Sequence, residues 1–203
     1  MFNLLKKHIK LILLWGFVFA VLSGGVSLFM PMQYSANSQV LIISKNQTGI
    51  DPYTQAKSAE TIGANLIQIM KTTDFYDKVM QSPTASFDKS QWQNLSDRDQ
   101  RKKWSKDLSA SMIYGTGLMD VVAYSNTQDD AVNLANAITQ TIASQGYEYV
   151  GGDVSIKTVD NPLVSRWPAR PNFLLNTGIG FAVGVLIAGL WVSRYKKHLF
   201  SIN

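Results

Sequence analysis

Two uncharged apolar runs bracket a long middle in which apolar positions alternate or recur at helical spacing. Leu11 to Met30, LILLWGFVFAVLSGGVSLFM, and Phe173 to Val192, FLLNTGIGFAVGVLIAGLWV, hold twenty residues each. A helix of that length covers about 30 Å, the hydrocarbon thickness of a bilayer. Both runs therefore predict membrane-spanning helices. The expected division is a short N-terminus (1–10), a first span (11–32), a central domain (33–172), a second span (173–193) and a tail (194–203). For the first run a cleaved signal peptide is the alternative, with Ser23, Gly24 and Gly25 as the small residues; the apolar stretch continues past them through Met30, which suits a span better.

In the middle, YSANSQVLII alternates as a strand does. Asp51-Pro52 supplies a cap and a first-turn proline for a helix whose Ala59, Ile62, Leu66, Ile69 and Met70 keep helical spacing, with a break expected near Thr73-Asp74. Residues 82–95 read as a loop, and Ser96, Asp97 and Asp99 open a charged helix to about Asp107. LSASMIY, the turn Gly115-Thr-Gly117 and LMDVVAY form a hairpin. Thr127, Asp129 and Asp130 start a second long helix with the apolar stripe Ala131, Leu134, Ala135, Ile138 and Ile142. DVSIKTV is the last strand, ending before Asn161-Pro162. The order strand, helix, strand, strand, helix, strand predicts an α+β domain of the ferredoxin-like βαββαβ kind, with the last strand returning beside the first so that both spans leave from one end of the sheet.

A proline-rich collar, 161–172, joins that domain to the second span. Pro162, Pro168 and Pro171 keep the chain extended, because proline fixes φ and disfavours helix in the residue before it. Trp167 suits the headgroup zone, and Arg166 and Arg170 reach lipid phosphates. In the spans, Gly16, Ala20 and Gly24, and likewise Asn176, Gly180, Gly184 and Ala188, recur every fourth residue. Small residues at that interval allow close helix approach, either between the two spans or between subunits.

Charge sets the orientation. Six of the nineteen Lys and Arg flank the apolar runs (Lys6, Lys7, Lys10, Arg194, Lys196, Lys197), whereas all fourteen acids lie between Asp51 and Asp160. Basic flanks mark the cytoplasmic side, so both termini are expected in the cytoplasm and the middle outside. The basic excess is thus membrane-flanking, which removes the main support for nucleic-acid binding.

Little catalytic chemistry is available. The two histidines, His8 and His198, stand in the basic ends, and there is no cysteine. The outer domain accordingly lacks a histidine-based triad, a thiol nucleophile and the usual zinc ligands, and no metal or cofactor is expected. Asp129 and Asp130 read more simply as helix-start residues than as an acid/base pair. GTGLMD lacks the third glycine of a dinucleotide fingerprint, and no phosphate-binding GxxxxGK[ST] loop occurs. Trp92, Arg98, Lys102, Trp104 and Lys106 could present charge and aromatic faces to an anionic polymer; the competing reading, which we favour, is a solvated helix face with the tryptophans in the core.

The assembled pattern resembles the chain-length determinant (Wzz-type) or polysaccharide co-polymerase proteins of bacterial envelope polysaccharide export. The resemblance rests on the basic N-terminus and first span, YSANSQVLII just beyond it, a helix ending LIQIMKTTDFYDKVM, the segment VVAYSNTQDDAVNLANAITQTI, and the prolines before a glycine-rich second span. It implies a non-enzymatic homo-oligomer of the plasma membrane that works with a polysaccharide polymerase on the nascent polysaccharide. The chain differs from larger relatives in having only about 140 residues between the spans, too few for their long helical extension, and in stopping at SRYKKHLFSIN, where some members continue into a tyrosine kinase. Some short members activate a separate cytoplasmic tyrosine kinase through the tail. Lys196, Lys197 and Phe200 are the residues that would do so here; a basic stop-transfer anchor explains them equally well. Two other classes fit the composition: a two-span extracytoplasmic ligand sensor, and a glycan hydrolase using carboxylates.

Overall fold

A computed structural model describes residues 6, 8–44, 51–151 and 154–200, with 195–200 described as helical backbone only. It divides into two compact units, Met1–Met32 with Ala169–Asn203, and Gln33–Pro168.

The first unit is a pair of helices, α1 (Ile9–Leu28) and α8 (Phe173–Phe200). Both contain a segment long and apolar enough to cross a membrane, Ile9–Leu28 and Phe173–Arg194. Helix α1 starts two residues before the apolar run, at Ile9, and stops at Leu28, short of Pro31, which cannot continue the ladder. At the other end α8 continues beyond Arg194 to Phe200, so the expected tail is helical through that residue.

The second unit is an α+β body. Its elements are β1 (Tyr34–Ser44), α2 (Pro52–Ile69), α3 (Thr73–Gln81), α4 (Ser90–Gln93), α5 (Asp97–Asp107), β2 (Leu108–Met112), β3 (Leu118–Ser125), α6 (Gln128–Gln145), α7 (Tyr147–Val150) and β4 (Val154–Val164). The four strands form one sheet in the order β2-β3-β1-β4. All three pairings are antiparallel. The first and last strands are thus neighbours, and Ser35 and Ser165 bond across the end of that pair, the Ser165 amide to the Ser35 carbonyl at 2.8 Å and the Ser35 amide to the Ser165 hydroxyl at 3.1 Å. The chain enters and leaves the body at the same end of the sheet.

Local signals explain most boundaries. The Asp51 carboxylate accepts the Tyr53 amide at 2.8 Å and the Thr54 hydroxyl at 2.6 Å, holding its own pKa below the usual carboxylate value, with the Thr54 bond the larger cause. Thr72 caps α3, so the expected break falls at Met70 to Thr72. Ser96 with Asp99, and Thr127 with Asp130, form reciprocal caps at the starts of α5 and α6. The segment 82–95 is not wholly loop, since α4 forms a single turn within it.

The core lies on one sheet face. Ala36, Val40, Ile42, Met119, Val121 and Ala123 meet the α6 stripe Ala131, Leu134, Ala135, Ile138 and Ile142, together with Ala59 and Leu66 of α2. An aromatic group closes one flank. Trp104 meets Tyr76 edge-on at 5.2 Å and Trp92 at 6.2 Å, and Phe87 meets Trp92 at 5.8 Å. Such pairs add about 0.5–1.5 kcal/mol beyond area burial.

One expectation fails at Pro162. The last strand was expected to end before Asn161-Pro162, yet β4 runs through Pro162 to Val164. β4 is an edge strand, and its register with β1 shifts between Asn37 and Gln39, where the Ser38 hydroxyl bonds the Asp160 carbonyl at 2.7 Å. A proline without an N–H is tolerated at an edge or a bulge. The non-sheet part of the collar therefore begins after Val164.

Candidate functional site

The residues singled out by sequence fall into three places. The first is the helix pair. Ile12, Gly16, Ala20 and Ser27 of α1 are buried, as are Gly180, Gly184, Ala188 and Val192 of α8. A β-carbon added at Gly184 would lie 2.7 Å from the Trp15 carbonyl oxygen and 2.9 Å from the Gly16 Cα; one at Gly180 would lie 2.7 Å from the Phe19 carbonyl oxygen. The two small-residue stripes thus face each other within one chain, their backbones closer than any side chain allows. Gly24 is looser, its added carbon 3.2 Å from Thr177 Oγ1.

Polar groups fix the register near one end of the pair. Asn176 donates its side-chain amide to the Ser27 hydroxyl at 2.8 Å, Ser27 donates to the Ser23 carbonyl at 3.0 Å, and the Ser23 hydroxyl donates to the Asn176 carbonyl at 2.9 Å. Each such bond between membrane helices contributes about 0.6 kcal/mol on average. Sequence reading picked out Asn176 but missed Ser23 and Ser27, whose spacing of four places them on the Gly16 and Ala20 face.

The second place is the collar. Arg166 and Trp167 are exposed, Trp167 by 82 %. Gln128, the first residue of α6, donates to the carbonyls of Ser165 (3.1 Å) and Arg166 (3.4 Å), tying this stretch to the body. Pro168 is the last residue of the body, while Arg170 and Pro171 belong to the helix unit. The Arg170-Pro171 peptide is cis.

The third place is the proposed polymer-contact surface, which the structure breaks up. Trp92 and Trp104 are 0 % and 1 % exposed, so neither ring can stack on a polymer, and the core reading of both is the right one. The Trp104 indole N–H donates to the Met70 carbonyl at 2.8 Å, whereas the Trp92 indole N–H has no partner among the described residues. Arg98, Lys102 and Lys106 are exposed on α5. The nearby Lys103 is instead a structural cation. It bonds the 3 % exposed Asp107 at 2.8 Å, and Gln33 donates to the same carboxylate at 3.2 Å. Lys196, Lys197 and Phe200 lie outside the residues whose side chains are described.

Of the pair weighed as acid and base, Asp129 and Asp130, the second has another duty. Asp130 accepts from Thr127 in the α6 cap and also receives the Asp88 amide at 3.1 Å. Between α3 and α7, Lys78 pairs with Glu148 at 2.5 Å, and Tyr149 donates to Asp74. The Glu148 bond, followed by that to Tyr149, raises the Lys78 pKa, and burial raises that of the Tyr149 phenol. These bonds brace α3 against α7.

Residues 1–82 match the family model for Wzz, chain length determinant protein. A comparison with curated proteins finds no match. The matched stretch takes in α1, β1, α2 and α3, that is, one apolar helix and the strand, helix and break that begin the body. Over those residues the chain is similar to the Wzz chain length determinant proteins.

Proposed function

We propose that this is a two-pass plasma-membrane protein whose α+β body stands outside the cell and which, as a non-catalytic homo-oligomer beside a polysaccharide polymerase, sets the chain length of a surface polysaccharide. The observation that carries the reading is the family match over residues 1–82. Three features support it. The two apolar helices are close-packed and polar-locked, as a stable anchor requires. Basic residues flank them while the acids stay in the middle, the charge pattern that favours termini inside and the body outside. Entry and exit share one end of the sheet, so a single body can be held on two anchors.

In this scheme the body acts by geometry. Arg166, Trp167 and Arg170 would seat it at the headgroups, and Arg98, Lys102 and Lys106 would present positive charge to an anionic stretch of polymer or to a neighbouring subunit. Deleting the gene and sizing the surface polysaccharide on a gel tests the reading. A shifted or broadened length distribution, restored by the intact gene, is expected; an unchanged distribution would overturn it.

A further inference from the structure

The end of the sheet remote from Gln33 and Pro168 carries a cleft of about 280 Å³, lined by Tyr53, Ala56, Lys57 and Glu60 of α2 and by Tyr114 and Gly115 of the β2–β3 turn. Its two aromatic side chains are unusually open for their size, Tyr53 at 72 % and Tyr114 at 82 %. Neither phenol makes a hydrogen bond among the described residues. They come from positions sixty-one residues apart, brought together only by the fold.

Both tyrosines stand on rigid supports. Tyr53 lies in the first turn of α2, its amide held by the Asp51 cap. Tyr114 sits in a turn fastened at several points. The Ile113 amide bonds the Leu118 carbonyl at 2.9 Å, and the Thr116 hydroxyl bonds the Ile113 carbonyl at 2.9 Å. Gly115 takes φ +72°, a conformation that side chains disfavour. Gly117 lets the turn lie against β1, because a β-carbon there would come within 2.4 Å of the Ile42 carbonyl oxygen, and the Ile42 amide bonds the Gly117 carbonyl at 2.8 Å. In the same lining, Lys57 and Glu60 pair at 3.4 Å, leaving both able to take further hydrogen bonds.

We propose that this cleft is a glycan subsite, taking one or two pyranose residues of the polysaccharide whose length the protein sets; the proposal rests on the function argued above. A sugar ring offers a face of C–H groups, which complements the negative face of an aromatic ring, and a rim of hydroxyls, which suits an adjacent ammonium, carboxylate and phenols. The volume falls just under the roughly 300–1,000 Å³ of sites that enclose whole small ligands, so it holds a short part of a longer chain. Rigid aromatic platforms lose little entropy on binding, because few torsions need be fixed.

The test uses the intact chain in detergent and, as probe, the strain's own surface polysaccharide cut to short oligosaccharides by partial acid hydrolysis. Wild type should bind, Tyr53→Ala with Tyr114→Ala should bind about tenfold more weakly or worse, as expected for loss of aromatic hot spots, and Tyr53→Phe with Tyr114→Phe should retain most of the affinity. Equal binding by wild type and the double alanine variant overturns the subsite, as does an alanine variant that dissociates the oligomer while binding sugar normally. Deletion of the gene separates the two claims: altered polymer length without oligosaccharide binding would sink the subsite and leave the chain-length role standing, whereas unaltered polymer would sink the role itself.

Discussion

Replacing Gly184 by alanine adds one methyl group at the tightest point of the helix pair. That methyl would lie 2.7 Å from the Trp15 carbonyl oxygen, 2.8 Å from the Phe19 Cβ and 2.9 Å from the Gly16 Cα. Two of these atoms are backbone, so no rotamer change relieves the contact and the helices must part. Overpacking of this kind costs about 1–3 kcal/mol. Alanine returns up to about 1 kcal/mol as the better helix former. Three contacts under 3.0 Å, two of them to backbone, put the overpacking cost in the upper part of its range, about 2–3 kcal/mol, so a net loss of about 1–2 kcal/mol remains, roughly a 5- to 30-fold change in the paired fraction. Gly178→Ala is the control, since beyond its own helix turn no described residue lies within 4 Å of its added carbon. The sequence has no cysteine, so Gly24→Cys with Thr177→Cys gives a clean reporter of pairing. A carbon at Gly24 is 3.2 Å from Thr177 Oγ1, close enough for disulfide formation after a small adjustment. Oxidation in native membranes should slow or diminish several-fold with Gly184→Ala and stay unchanged with Gly178→Ala. Equal crosslinking in both would refute the pairing of these two faces.

Other outcomes follow from the body. Trp104→Phe and Trp92→Phe remove the same ring volume, but only the first orphans an acceptor, the Met70 carbonyl; denaturant unfolding should show Trp104→Phe less stable than Trp92→Phe by about 1–3 kcal/mol. Thr127→Ala removes the α6 cap, for about 1 kcal/mol in the same assay, and Thr127→Ser should restore most of it. Tyr76 and Tyr149 both have pKa values raised by burial above the ordinary 10.0, so the unfolded chain loses those protons first. Stability should therefore be full below pH 10.0 and decline as pH climbs through the folded values, and Tyr149→Phe should lessen that decline.

Much of the architecture was legible because its signals are local. Asp51, Ser96 and Thr127 each stand one residue before a helix and cap it, and the apolar stripe from Ala131 to Ile142 needs only the helical period. What escaped depends on distant neighbours. Pro162 looks like a stop until β4 proves to be an edge strand with a shifted register. The core reading favoured for Trp92 and Trp104 holds, but which rings they meet, each other with Phe87 against Trp92 and Tyr76 against Trp104, is set by the fold and not by their charged stretch. The glycine stripes announced close helix contact, but their mutual partnership, and the part of Ser23 and Ser27 in it, required the two helices side by side. The Tyr53 and Tyr114 cleft left no trace in sequence, since an exposed tyrosine looks the same alone or paired.

The account turns on which side of the membrane the body occupies. With no native cysteine, Ser109→Cys on the exposed side of β2 and Lys6→Cys before the first helix can each be probed alone with a membrane-impermeant maleimide on intact cells. Labelling of position 109 in intact cells, and of position 6 only after lysis, is the predicted result. The reverse pattern would place the body in the cytoplasm, away from any surface polymer, and would contradict the account.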